Sequence, residues 1–187
     1  MIGVYSDSPD VTEIERPSSW FAWHAHRIRT GSRVLDLACG TGRHALAAAG
    51  LGASVTAVDK ESVSLEVGRK EAKARGLAVT WVNADLAAGL PDLGRFDAVL
   101  VFNYLDRARM PGILERVDMG GLLILETFLE AQKAFGWGPS SEDHLLRSGE
   151  LPKLVAPLTV VHGREVVEAV DNARWSAMAS VLAQRKE

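Results

Sequence analysis

The chain has 187 residues, 47% of them hydrophobic and 24% charged, with 21 basic and 24 acidic side chains for a formal net charge of -3. This composition is that of a folded globular chain and excludes a disordered segment, a collagen-like fibre and a coiled-coil rod. The slightly acidic balance offers no positive field for holding a phosphate backbone, so no nucleic-acid partner is expected. A single cysteine cannot form an internal disulfide, and the opening MIGVYSDSPDVTEIERP lacks the basic and apolar regions of a signal peptide. Asp36, Asp59, Asp97 and Glu126 interrupt the longest apolar stretches before they reach membrane-spanning length. The expectation is a cytoplasmic protein with no membrane span.

No repeat, low-complexity run or long linker divides the chain, which predicts a single domain over 1–187. Its parts are an N-terminal extension and helix (1–31), a ligand-binding core (32–128) and a loop region with a closing hairpin (129–187). Ser18 is placed to cap a helix carrying Trp20, Phe21, Trp23, Ala25 and Ile28, ending near Gly31. From Arg33 short apolar runs alternate with helical patterns, the signature of strand and helix crossovers around a parallel sheet. Strands are predicted at Val34–Ala38, Ser54–Asp59, Ala78–Asn83, Phe96–Asn103 and Gly121–Phe128. Between them lie a small-residue helix over Arg43–Gly50, a helix capped by Ser62 with Val63, Val67 and Ala74 on one face, and a helix near Pro111–Val117. A short helix around Glu150–Leu154 then precedes two β-rich runs separated by Asp171 and Asn172, a two-residue hairpin signal. The fold expected is a Rossmann-like α/β, seven-stranded, mostly parallel sheet with a C-terminal antiparallel hairpin and helices on both faces. An ordinary dinucleotide-binding dehydrogenase would instead need a second parallel half.

The sharpest local feature is VLDLACGTGRHALAAAG, a strand, Gly40 and Gly42, then a helix. Glycines there admit close backbone approach to a ligand, and the helix start offers unpaired N–H groups. Ala45 stands where a third glycine would complete a dinucleotide fingerprint, so the loop alone is weak. Three acids sharpen it: Asp36 in the first strand, Asp59 at the end of the second and Asp85 after the third share the carboxyl edge where open sheets bind ligands. Asp59 is placed for two ribose hydroxyls, one per carboxylate oxygen. Asp36 suits a cationic, amino-acid-like group and Asp85 the exocyclic amine of an adenine. Any one of them also fits a helix cap.

DLACGTGRHA, the terminal Asp59, the Asn83–Asp85 run and FDAVLVFNYL resemble the successive motifs of class I S-adenosylmethionine-dependent methyltransferases over Arg33–Phe128. FNYLDR, LETF and GPSSEDHLLRSGEL further resemble small bacterial methyltransferases of the tellurite-resistance-like group, with Ser148 where that group usually has proline. The resemblance implies S-adenosyl-L-methionine as cofactor, with S-adenosyl-L-homocysteine as product. It implies that Asp36, Ala38, Gly40 and Gly42 border the methionine moiety, Asp59 the ribose, and Ala84 and Asp85 the adenine, with Lys60 and Leu86 against the adenine edges. Phe102, Asn103 and Tyr104 would wall the sulfonium, and His44 would reach the cofactor carboxylate.

Methyl transfer from a sulfonium relies on proximity, alignment and exclusion of water, and a base is needed only for a nucleophile that arrives protonated. The fourth strand is not followed by NPPY or DPPY, which leaves a small-molecule acceptor as the expectation. No catalytic residue is identified; Tyr104 and His24 stand as candidates. His24 and His26 are two apart and share no helix face, so no metal site is expected. Arg107 belongs either to the loop beside the ligand or to a surface ion pair. Tyr5, Trp20, Phe135 and Trp137 are placed either as a lid or as core filling, and Cys39 as a small buried residue. A cofactor-binding regulatory protein without turnover and a nicotinamide-dependent oxidoreductase are the alternatives, and the chain is compatible with a monomer or a homodimer.

Overall fold

The computed structural model describes residues 14–171 and 173–186. Short runs such as VLDL and AVLVF are apolar on both sides of the pleat, and they become strands covered on both faces. The strands β1 (Arg33–Leu37), β2 (Ser54–Asp59), β3 (Val79–Asn83), β4 (Phe96–Phe102), β5 (Val117–Phe128), β6 (Thr159–Ala169) and β7 (Trp175–Gln184) form one seven-stranded sheet in the order β3-β2-β1-β4-β5-β7-β6. β1 to β5 are mutually parallel, while β7 runs antiparallel to both β5 and β6. The order reverses at β1, between β2 and β4, and a ligand crevice belongs at that point.

On one face α1 (Ser19–His24), α2 (Arg43–Gly50) and α3 (Ser62–Ala74) cover Val34, Val55, Ala57, Leu100 and Ile124 with Trp20, Phe21, Ala45, Ala48 and Leu65. On the other face α4 (Met110–Glu115) and α5 (Leu151–Leu154) contribute Ile113 and Leu151 against Leu35, Val99, Val101, Leu123 and Leu125. α2 packs closely because three of its five buried residues are alanines, Ala45, Ala48 and Ala49, beside His44 and Leu46. Its start, Gly42, and Gly68 of α3 both face the Trp81 ring: a Cβ on either glycine would lie 2.4 Å from Trp81 Cη2.

Several boundaries differ from the sequence expectation for local reasons. β1 stops at Leu37 because Ala38 already has φ +52, and β4 stops at Phe102 because Asn103 has φ +55. α1, capped by the Ser18 hydroxyl accepting from Phe21 N–H, ends at His24 and passes into a 3-10 turn over Ala25–Arg27. α3 begins after Glu61, with Ser62 inside it, and buries Leu65, Gly68 and Ala72, whereas Val63 is 67% exposed. The buried stripe follows i, i+3, i+7 from Leu65. α4 begins at Met110, and β5 starts at Val117, paired with Phe96, before an irregularity that precedes Leu122. The closing hairpin has Ala169 opposite Trp175, so its connection is longer than two residues. Asp171 organises it by accepting from the N–H groups of Ala173 and Arg174 and from the Arg174 side chain; Asn172 lies outside the described residues.

Candidate active site

The carboxyl edges of β1, β2 and β3 are tied together by acids at their tips. Asp59 Oδ2 accepts from Gly40 N–H at 2.7 Å and Oδ1 from Glu61 N–H at 2.9 Å, so one carboxylate holds the glycine loop and the start of the next segment. Asn83 Nδ2 donates to the carbonyls of Asp59 and Lys60, and Ala84 N–H to Asp59 O, which brings the loop after β3 alongside. Asp85 Oδ1 accepts from Ala87 N–H. Gly40 (φ +57) and Gly42 (φ +80) hold the left-handed conformations the turn requires. A Cβ at Gly40 would meet no atom within 4 Å, so this glycine borders open space.

Asp36 lies beneath the loop, 1% exposed, and its Oδ2 accepts from Ala45 N–H at 2.9 Å. Burial pushes its carboxyl up to about 7, opposed by that N–H and by the Arg43 charge. Cys39 is buried too, and desolvation, with the neighbouring Asp36 and Asp59 charges, drives its thiol far above the ordinary range. It is therefore no thiolate nucleophile.

A cavity of about 500 Å³ opens above these tips, within the size of small-molecule sites. Its walls are Ala38, Asp59 and Lys60 from the ends of β1 and β2, residues 84–87 after β3, residues 104–108 after β4, and Asp143 with His144 from the loop before α5. Of the residues expected from sequence, it brings together Ala38, Asp59, Lys60, Ala84, Asp85, Leu86 and Tyr104. The Tyr104 hydroxyl is buried without a hydrogen-bond partner among the described residues, and burial, helped by the Asp106 charge, pushes it up to about 12. At neutral pH it keeps its proton and is no base.

Other expected residues lie elsewhere. Asp36 lies beneath the loop, Gly42 faces Trp81 and Gly40 borders open space, none of them lining the cavity, and Asn103 is exposed at the edge, its N–H donating to Glu126 O. His44 is 2% exposed, stacked on Phe102 at 3.7 Å between centroids, with Nε2 accepting from Ser18 N–H. Burial lowers its pKa to about 2, so the imidazole is neutral, and neither His44 nor Phe102 lines the cavity. His24 is buried beside Trp20 and bonded to His162 of β6 at 3.2 Å, also outside it. Trp20, Phe135 and Trp137 do not line it either: Trp20 is core, Phe135 packs against the core, and Trp137 sits edge-on to Phe128. Tyr5 lies outside the described residues. Ala87, Leu105, Asp106, Ala108, Asp143 and His144 were not expected as site residues; Leu105 and Asp106 lie within FNYLDR, and Asp143 and His144 within GPSSEDHLLRSGEL, but nothing in their spacing placed them at the cavity. Among the described residues no group of three or more His, Cys, Asp or Glu is arranged to hold a metal, and no helix is long and apolar enough to cross a membrane.

A glycine loop between β1 and α2, acids at successive strand tips and β7 inserted antiparallel between β5 and β6 define the class I methyltransferase architecture. Residues 34–118 match the methyltransferase domain family, and the chain is similar to class I S-adenosylmethionine-dependent methyltransferases. It is 32% identical over 130 residues to a ubiquinone biosynthesis O-methyltransferase of Methylocella silvestris, covering 66% of this chain and 50% of that protein. It is 41% identical over 113 residues to a demethylmenaquinone methyltransferase of Thermus thermophilus, covering 56% of this chain and 51% of the relative. This chain therefore spans about half the length of these curated relatives. In fold it is similar to TehB from Haemophilus influenzae, with a TM-score of 0.73 and 22% identity over 88% of this chain and 61% of the other.

Proposed function

We propose that the protein transfers a methyl group from S-adenosylmethionine to a small-molecule nucleophile. The observation that carries this reading is the cavity at the point where strand order reverses, walled by Asp59 at the tip of β2 and by Asp85 after β3. The donor set suits the cofactor: Gly40 leaves space where a side chain would stand, and the buried Tyr104 hydroxyl has no partner among the described residues. When bound, S-adenosylmethionine supplies an electrophilic methyl group on a sulfonium.

Each Asp59 oxygen keeps a lone pair after accepting one backbone N–H, enough for a ribose hydroxyl apiece. Asp85 Oδ2 is assigned to the adenine amine, with Ala84 alongside and Lys60 and Leu86 against the ring edges. Ala38, Gly40 and Gly42 border the methionine end; Asp36 acts from below by holding Ala45 at the start of α2. Asn103 and Tyr104, following β4, face the sulfonium side, with Phe102 supporting them from the interior. No base is assigned. Tyr104 keeps its proton, and His24 is engaged with His162.

The test is calorimetric titration with S-adenosylhomocysteine beside NADH, followed by transfer of a labelled methyl group to a panel of phenols, quinone precursors and thiols. The panel begins with oxygen and quinone acceptors because the relatives are named for ubiquinone biosynthesis and for demethylmenaquinone. Binding of S-adenosylhomocysteine alone and one labelled product support the reading. Binding without any product favours a regulatory cofactor-binding protein, and binding of NADH alone favours an oxidoreductase.

A further inference from the structure

Arg107 has no task in the reading above, yet its guanidinium is extensively engaged. It stands in the segment that follows β4 and lines the cavity. Nε donates to Glu150 Oε1 at 2.6 Å and Nη2 to Glu150 Oε2 at 3.0 Å, a forked pair. Nη2 also donates to Leu145 O at 2.8 Å, and Nη1 to the carbonyls of Asp143 at 3.0 Å and Glu142 at 3.4 Å. All of these bonds go to one stretch, 142–150, whose Asp143 and His144 form a cavity wall.

Away from the guanidinium the stretch is held by weaker ties: Lys133 Nζ donates to Glu142 Oε1 at 3.3 Å, Asp143 N–H to the Ser141 hydroxyl at 3.3 Å, and Arg147 pairs with Glu130 at 3.5 Å between exposed side chains. Leu145 and Leu146 are buried and anchor it from beneath, while 141–144 are exposed. His144 Nδ1 makes one further contact, 3.4 Å from Leu105 O. Beyond the wall, Glu150 Oε2 accepts from Arg147 N–H, and Ser148 and Gly149 donate to Glu165. Glu150 is thus also held by its own turn, and the hydrogen bonds from the Arg107 guanidinium, with that of Arg147 N–H, hold its carboxyl below the ordinary carboxylate range.

We propose that Arg107 and Glu150 form a latch that suspends the 142–145 strap over the carboxyl edge of β4 as a wall of the ligand cavity. Arg107 is a positioning residue: its donors are spent on the strap, and it acts on a ligand through Asp143 and His144. A planar fork serves a carboxylate and three carbonyls at once; a lysine ammonium, a compact point charge, cannot reproduce that set. The strap's ligand is the cofactor of the proposed methyl transfer, so this part rests on that reading, whereas the latch itself does not.

The experiment compares Arg107→Lys and Glu150→Gln with the unsubstituted chain by amide hydrogen exchange without ligand, and then by titration with S-adenosylhomocysteine. The diagnostic amides are His144, Leu145 and Leu146, which donate to Ser141 O, Glu142 O and Phe128 O. With the latch as described, their exchange speeds up about tenfold in Arg107→Lys while β1 to β5 stay within about twofold, and S-adenosylhomocysteine binds about tenfold more weakly. Glu150→Gln shifts both in the same direction by less. Unchanged strap exchange with unchanged affinity overturns the proposal, as does faster exchange across the whole sheet, which makes Arg107 a general stabiliser. If the unsubstituted protein does not bind S-adenosylhomocysteine, the cofactor reading fails and the exchange comparison still decides the latch.

Discussion

Two regions of the molecule are rich in titratable side chains, and they use them in opposite ways. Beneath α1, Arg164 of β6 bonds Glu126 at 3.2 Å and Glu168 at 3.2 Å and lies 5.2 Å over the Trp20 ring. Ser180 donates to the same Glu126 oxygen at 2.7 Å, and His24 and His162 face each other. Around the cavity, Asp85 and Asp106 accept backbone N–H groups from their own loops, and Asp59 accepts one from its own loop and one from the glycine loop after β1. The first cluster bonds mostly within itself and packs against tryptophan, with only His24 Nδ1 and Arg164 Nε lacking a partner among the described residues; the second is held by the main chain and keeps acceptor capacity toward an open space. By residue type alone the first looks more like a catalytic centre. The partners of each group, and not the density of charge, separate a structural island from a site.

Substitutions separate them further. Arg164→Met leaves the buried Glu126 carboxylate with Ser180 as its remaining side-chain partner among the described residues. Stability should fall by about 3 kcal/mol in denaturant unfolding, with S-adenosylhomocysteine affinity within about twofold of the starting value. Asp59→Ala reverses the pattern: about a hundredfold loss of S-adenosylhomocysteine affinity by calorimetry, from the lost charge-assisted bonds and a loosened glycine loop. Comparable affinity loss in both variants would erase the distinction.

Gly68→Ala tests the support of the glycine loop. Alanine gains up to about 1 kcal/mol in helix propensity. Its Cβ, however, would stand 2.4 Å from Trp81 Cη2 and 2.5 Å from Thr41 O. Overpacking costs about 1–3 kcal/mol, so the net expectation is lower unfolding free energy.

Acid provides a fourth test. Burial lowers His24 from 6.5 to about 4 and His44 from 6.5 to about 2, so both take up protons on unfolding. Their contribution is complete above pH 6.5 and is lost as pH falls from there toward 4. Asp36, raised from 3.8 to about 7, keeps its proton in the folded state and opposes them, reducing stability as pH rises through that interval. Asp36→Asn should therefore steepen the fall of the urea midpoint between pH 7 and pH 5, and an unchanged slope would contradict the buried placement. The smallest effect belongs to Glu71→Gln, which breaks an exposed ion pair with Arg75 and should change stability by less than about 0.5 kcal/mol.

The parallel half was legible because fully buried strands and a glycine turn write themselves into local sequence: VLDLACGTG carries its strand, its loop and the helix after it. The face of α3 was not, because Val63 and Val67 compete with Leu65 on hydrophobicity alone, and packing against Trp81 favours the face holding Gly68. Asp59 and Asp85 could be placed at the crevice because strand ends locate them. His44 could not, since its ring is captured by Phe102 and Ser18, both distant in sequence. Asp143 and His144 reach the cavity through a guanidinium far upstream, and no spacing rule records such a contact.

The interior position of β7 also has a kinetic meaning. β6 pairs with β7 and with no other strand, so it joins the sheet only by way of β7. The docking of β7 pairs Phe128 with Met178, 50 residues further on. Closing a loop of that length carries an entropic cost of about 3.5 kcal/mol before any contact repays it. The parallel half contains a separation of the same order, since β1 pairs with β4 through Val34 and Ala98, 64 residues apart, so closing the sheet depends on two long-range encounters, one joining β1 to β4 and one joining β5 to β7.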